Sequence, residues 1–169
     1  RCLKPNLMYY LCHDYVISQS TDDKWYVKKH DLYIDNIDEK FYRIKRNSKV
    51  CINISAIVGE NGSGKSTIVE LMLRMINNCA IKFGIRTEDG KLEYVEGVCA
   101  RLFYLNSDKI CCLSIKGGLE SISVSEIATL AKGAIKPTMK SLTEEDLKGD
   151  FFYTLVSNYS HYAYNTNDF

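Results

Sequence analysis

The feature that most constrains this chain is a glycine-rich loop between an apolar run and a run of helix-forming residues. Residues 59–67 read Gly-Glu-Asn-Gly-Ser-Gly-Lys-Ser-Thr, which matches the phosphate-binding pattern G-x-x-x-x-G-K-[ST]. Residues 51–58 before it are apolar and β-branched, and residues 68–76 after it favour a helix. Strand, loop and helix in this order are the context in which the pattern binds nucleotide phosphates.

The residue types in this loop suit magnesium-bound ATP. Glycines let the backbone curl so that successive N–H groups point at phosphate oxygens, and the positive end of the following helix adds to the attraction. Lys65 is expected to reach the β- and γ-phosphates, and the Ser66 hydroxyl to ligate Mg²⁺. The alternative is a glycine-rich turn with a solvent-facing lysine. The predicted nucleotide site consists of Gly59, Glu60, Asn61, Gly62, Ser63, Gly64, Lys65, Ser66 and Thr67.

The interior of the loop indicates a class. Glu60-Asn61-Gly62-Ser63 inside the pattern resembles the Walker A loop of ABC-type and SMC/RecF-type ATPase heads. The 58 residues before the loop look strand-rich rather than helical, whereas small nucleotide kinases begin almost at once with the loop strand. The resemblance implies an α/β P-loop NTPase lobe of the ABC-ATPase-head type, with a mixed sheet, an antiparallel β subdomain and flanking helices.

A second, weaker resemblance comes from the end of the chain. The aromatic segment 152–165, together with the loop, resembles the ABC-type ATPases of bacterial anti-phage systems, the Septu PtuA proteins and their retron-associated relatives. This resemblance covers roughly residues 50–75 and 150–165. It implies an ATP-sensing defence protein that self-associates through its ATPase heads and works with an HNH nuclease partner.

Two motifs that such ATPases need for hydrolysis are missing. After Lys65 the sequence has no apolar run ending in Asp-Glu, and it has no Leu-Ser-Gly-Gly-Gln signature. The run 113–118 imitates the signature only superficially, and a Gly-Gly turn between strands explains it better. Residues 1–169 are therefore expected to be one N-terminal lobe, a fragment without its second lobe, that is an ATPase only if completed. Asn165 is a candidate Mg²⁺ ligand at the end of the last strand.

The rest of the chain alternates predicted strands and helices. The Asn-Ser-Asp-Lys turn at 106–109 predicts a hairpin between strands 100–105 and 110–115, and Asp-Gly at 89–90 predicts one between 83–86 and 92–95. The loop helix is expected to end near Asn77-Asn78. Further strands are predicted at 8–11, paired with 15–17, and at 25–27, 32–34, 41–44 and within 151–164.

Two Ser-x-x-Glu patterns predict helices, since this spacing is that of a capping box. One begins at Ser123 with Glu126 and runs to about Ala134, before Pro137. The other begins at Ser141 with Glu144, and the acidic residues that follow suit the first turn of a helix.

Composition limits the partners and the compartment. The 22 basic and 21 acidic residues nearly balance, so the net charge of the chain does not attract nucleic acid. DNA binding would need a local basic patch. The seven cysteines show no zinc-ligand spacing, and most lie in apolar runs, where a free thiol acts as a small apolar side chain; a reducing cytoplasm is the expected compartment. No run approaches 18 apolar residues, so no membrane span is predicted.

Two other functions remain open from the sequence. A small phosphotransferase could use the same loop, but it needs an arginine-rich lid, and only Arg74, Arg86 and Arg101 follow the loop. The other alternative is a structural fragment that holds no nucleotide.

Overall fold

The computed structural model describes residues 3–4, 6–10, 15–22, 24–29, 60, 63–84, 93–131 and 134–147. It divides into two compact units, Arg1–Lys65 and Ser66–Phe169. The predicted strands at 32–34, 41–44, 51–58 and 151–164 lie outside the described residues, as does the Asp-Gly turn at 89–90.

The first unit contains an antiparallel hairpin, β1 (Tyr15–Gln19) and β2 (Trp25–Lys29). Both segments were predicted as strands, but the predicted pairing of 15–17 with 8–11 is wrong, because the described residues 8–10 are not in a strand and β1 pairs with β2. The turn is closed by Ser20 N, which donates to the carbonyl oxygen of Lys24 at 2.9 Å.

The second unit is built around a four-stranded sheet in the order β3-β4-β5-β6. Its strands are β3 (Cys99–Asn106), β4 (Lys109–Lys116), β5 (Ser123–Ala131) and β6 (Ala134–Ser141), and each pairs antiparallel with the next. Helix α1 (Lys65–Lys82) precedes the sheet, a 3₁₀ turn (Leu119–Ser121) joins β4 to β5, and helix α2 (Glu144–Leu147) follows β6.

The predicted fold class is wrong. A P-loop NTPase lobe needs parallel strands beside its loop, whereas every strand pairing in the described part of the chain is antiparallel. The error lies partly at residues 123–134, which were predicted as a helix, whereas residues 123–131 form β5 and Ala134 begins β6. Val124, Ile127 and Thr129 are β-branched and favour a strand, so the Ser-x-x-Glu spacing does not mark a cap there.

The hairpin predicted around residues 106–109 is confirmed. β3 and β4 pair from Cys99 opposite Lys116 to Asn106 opposite Lys109, which leaves a two-residue turn. Ser107 in that turn has a φ of 53°, a left-handed conformation that a short polar turn residue accepts more readily than a β-branched one.

The core of the second unit lies between α1 and one face of the sheet. Leu113, Ile115 and Val124 from the sheet join Met75 and Cys79 from α1 in a single buried cluster. Leu147 of α2 belongs to the same cluster and is 1% exposed. Alternate positions of β3 (100, 102 and 104) pack against it, as expected for a strand with one face inward.

Helix α1 does not end near Asn77-Asn78 as predicted but continues to Lys82. Asn78 is 0% exposed. Its amide donates to the carbonyl oxygen of Val95 at 2.8 Å and accepts from the Val95 N–H at 2.9 Å. Asn77 donates to the carbonyl oxygen of Glu93 at 2.8 Å. These two residues therefore fasten the helix to the segment before β3, which is why they occupy the helix and do not terminate it.

The short helix α2 was predicted, but its N-terminal cap was predicted at the wrong residue. Thr143, rather than Ser141, forms the capping box: the Asp146 N–H donates to Thr143 Oγ1 at 3.3 Å, and the Thr143 N–H donates to Asp146 Oδ2 at 3.0 Å. Lys140 also donates to Asp146 at 2.7 Å, and these bonds hold the pKa of Asp146 well below its ordinary value. The carboxylate at the third helical position satisfies a backbone donor that the helix itself leaves unpaired.

Candidate phosphate-binding loop

The glycine-rich loop leads directly into helix α1, and its last glycine has a left-handed backbone conformation. Gly64 has a φ of 94°, a backbone region that residues with a side chain rarely adopt. Lys65 is the first helical residue. The Ser63 N–H donates to the carbonyl oxygen of Glu60 at 3.1 Å, which closes a tight turn just before the helix.

The Lys65 side chain folds back over this turn. Its Nζ donates to the carbonyl oxygen of Glu60 at 2.7 Å, so the same carbonyl accepts from both Ser63 and Lys65. The ammonium group therefore lies beside the loop backbone, not extended into solvent. Because an ammonium group has three donors, it can keep this bond and also reach an anion.

The start of helix α1 favours negative charge. The helix is 18 residues long and has no acidic residue in its first turn, so its unpaired N–H groups and positive dipole end are not compensated by a carboxylate there. Ser66 and Thr67, both exposed, lie in this turn. Glu70, one turn further, is bound to Arg74 on the same helix.

Part of the predicted site lies outside the described residues. Gly59, Asn61 and Gly62 belong to this part, and so does the candidate magnesium ligand Asn165. The described members are Glu60, Ser63, Gly64, Lys65, Ser66 and Thr67. Across the described ranges there is no group of three or more His, Cys, Asp or Glu side chains placed to hold a metal ion.

Two of the three arginines named for a phosphotransferase lid lie in the described part of the chain. Arg74 is paired with Glu70, Arg101 belongs to strand β3, and Arg86 is outside the described residues. The run 113–118 is structural, as predicted: Leu113 and Ile115 are buried core residues of β4, and Gly117, with a φ of 115°, follows the strand.

The described cysteines behave as small apolar residues. Cys79, Cys111 and Cys112 are buried free thiols, and Cys99 is exposed. Burial raises the pKa of Cys79 to about 12, and burial is also the main cause that raises the pKa of Cys112 to about 12. A thiol that stays protonated at neutral pH is a poor nucleophile and metal ligand.

A polar cluster that the sequence did not predict joins the buried Glu126 to the partly exposed Lys109 and to Thr129. Glu126 is 6% exposed. Its Oε2 lies 3.2 Å from Lys109 Nζ, and its Oε1 accepts from Thr129 Oγ1 at 2.8 Å. Burial by itself would raise the pKa of Glu126, but the hydrogen bonds from Thr129 and Lys109 and the charge of Lys109 lower it below its ordinary value. The same contacts raise the pKa of Lys109. The signal in the sequence was a lone glutamate within an otherwise apolar, β-branched run.

Comparison with known proteins does not add a family to these observations. No family model, no curated protein and no solved structure matches the chain. Among the described residues, no helix has the length and apolar character needed to cross a lipid bilayer.

Proposed function

We propose that this protein binds ATP with Mg²⁺ through the loop at residues 59–67. One observation carries the proposal: Gly64 takes a left-handed conformation immediately before a helix that begins with Lys65 and has no acid in its first turn. A backbone shaped in this way presents N–H groups and a lysine to the same small volume, which is the chemistry that a polyphosphate needs.

Each part of the loop has its own task in this proposal. The N–H groups of residues 61–67 donate to phosphate oxygens, and the Lys65 ammonium, already beside the loop, neutralises the β- and γ-phosphates. The Ser66 hydroxyl would ligate the magnesium ion that bridges two phosphate oxygens. Nucleoside monophosphates lack the β- and γ-groups and would bind much more weakly.

The proposal is limited to binding and does not extend to fast hydrolysis. Phosphoryl transfer needs an Asp that holds Mg²⁺ and a group that orients the attacking water. The sequence after Lys65 offers no apolar strand ending in Asp-Glu. ATP-dependent self-association, a role in DNA transactions or anti-phage defence, and an HNH nuclease partner stay predictions that rest on the resemblance alone.

A thermal-shift measurement with matched lysine variants tests the proposal. At 100 times its dissociation constant, ATP·Mg²⁺ should stabilise the wild-type protein by about 2.7 kcal/mol, whereas AMP at the same concentration should not. Lys65→Ala should lose most of this shift. Lys82→Ala removes an exposed lysine from the other end of the same helix, and it should keep the shift. The absence of a shift with millimolar ATP in the wild-type protein would contradict the proposal.

A further inference from the structure

The middle segments of β4 and β5 lack the alternating burial that normally fixes strand register. Residues 110–113 are all buried, with exposed fractions of 0–3%, and so are Ile127 and Ala128, each 1% exposed. A strand that is apolar on both faces can shift along its neighbour by one residue without exposing apolar surface. Another interaction must therefore select the observed register.

The register changes once along this strand pair. Cys111 lies opposite Glu126 and Ile110 lies opposite Ala128, so Ile127 is an extra residue of β5 with no counterpart on β4. The pairing of β5 with β6 also shifts between Glu126 and Ala128, but here the extra residue is on β6, because Glu126 pairs with Lys140 and Ala128 with Pro137. This arrangement is a β-bulge, in which two residues of one strand oppose one residue of the other.

The cluster of Lys109, Glu126 and Thr129 spans this bulge. Glu126 lies on one side of the extra residue, whereas Thr129 and Lys109, which are opposite one another, lie on the other side. In a regular strand, residues three apart point to opposite faces. The 2.8 Å hydrogen bond from Thr129 Oγ1 to Glu126 Oε1 therefore depends on the extra residue between them.

We propose that Glu126 is a register pin: its buried carboxylate, held by Thr129 and Lys109, selects the bulge at Ile127 and with it the alignment of β5 on β4. In the competing register without the bulge, Ile110 would pair with Ile127, and Thr129 would turn to the other face. Glu126 would then keep a buried charge without this partner, which is strongly unfavourable. Glu126 thus acts by making the alternative alignment of the strands less stable.

Removing the Glu126 charge should therefore populate a second strand register while changing stability little. Replacing a buried ion pair by apolar groups is often neutral or stabilising. Glu126→Leu should therefore fold, while the bulge-free alignment becomes populated beside the native one. A side chain that served only stability would change the melting temperature and leave one register.

Backbone nuclear Overhauser effects between strands report the register directly. The wild-type protein should show the pairing of residue 109 with residue 129 only, whereas Glu126→Leu should show a second set in which residue 109 pairs with residue 128. Thr129→Val removes only the hydroxyl and should show the same second set, and Thr129→Ser keeps the hydroxyl and should not. If Glu126→Leu does not fold, Thr129→Val alone tests the proposal. A single native set in Thr129→Val, and in Glu126→Leu if it folds, would overturn the proposal.

Discussion

The two ends of helix α1 differ in how deeply their polar residues are buried. At its start, Ser66 and Thr67 are exposed. Lys65 is partly exposed, and its ammonium group is hydrogen-bonded to a backbone carbonyl beside a glycine turn. Towards its end, every residue from 75 to 80 is buried, including the amides of Asn77 and Asn78. The same helix thus has exposed polar residues at one end and buried, hydrogen-bonded polar residues at the other.

This difference shows how burial changes the role of a polar residue. A polar group inside the protein must have hydrogen-bond partners, so its loss leaves other groups unsatisfied. A polar group at the surface can exchange water for a ligand at little cost to stability. Substitutions at the two ends should therefore separate stability from binding.

The largest effect on stability is expected at the buried end. Asn78→Ala removes the partner of both the N–H and the carbonyl of Val95, and should lower the free energy of unfolding by about 3 kcal/mol. Asn77→Ala, which loses one bond to Glu93, should cost about 1 kcal/mol. Urea denaturation of both variants measures this. Equal effects of the two substitutions would contradict the assigned role of Asn78.

A smaller, pH-dependent effect is expected from the other buried polar group, Glu126. Its pKa is lowered in the folded protein, so its contribution is fully present above the unfolded pKa of about 4.3 and is lost as the pH falls through the folded value. Glu126→Gln should lower stability at pH 7 by about 1–2 kcal/mol and flatten the decline below about pH 5. Urea denaturation from pH 7 to pH 3 tests this, with Glu145→Gln, an exposed residue of α2, as control. An unchanged decline in Glu126→Gln would contradict it.

The cap of α2 should have a more modest effect. Thr143→Ala removes the hydroxyl that accepts from the Asp146 N–H and should cost about 1 kcal/mol. Ser141→Ala, at the position where the sequence placed the cap, should change stability by less than about 0.5 kcal/mol. If the two melting temperatures were reversed in order, the cap would lie at Ser141.

The smallest effect on stability is expected at the open end of α1. Lys65→Ala removes one exposed bond to the Glu60 carbonyl and should change the free energy of unfolding of the ligand-free protein by less than about 0.5 kcal/mol. A loss comparable with that of Asn78→Ala would mean that the loop lysine is mainly structural.

The sequence predicted those features that depend on neighbouring residues. A helix after the glycine loop was predicted from residues 68–76 and is observed, although it begins at Lys65, and the β3–β4 hairpin follows from polar turn residues between two apolar runs. The predictions from the sequence were wrong where contacts between residues far apart in the chain determine the local structure. Asn78 is a helix-ending residue by local preference, but here Val95 supplies the partners that keep it inside.

The error at Glu126 has the same origin. The Ser-x-x-Glu spacing predicted a helix at 123–134, yet Lys109 on another strand and Thr129 across a bulge satisfy the carboxylate. The fold class was inferred from the loop and the residues around it, and the loop motif does not determine how strands far along the chain pair. Function therefore has to be argued from the site and not from the expected fold.

The most direct test of the account follows backbone amide signals by NMR while ATP·Mg²⁺ is added. Binding at the loop should shift the amides of residues 63–67 in a saturable manner and leave those of residues 75–80 unchanged, and the shifts should be lost in Lys65→Ala. Signals at 63–67 that stay in place at millimolar ATP, or shifts that persist without the lysine, would show that this loop is not a nucleotide site.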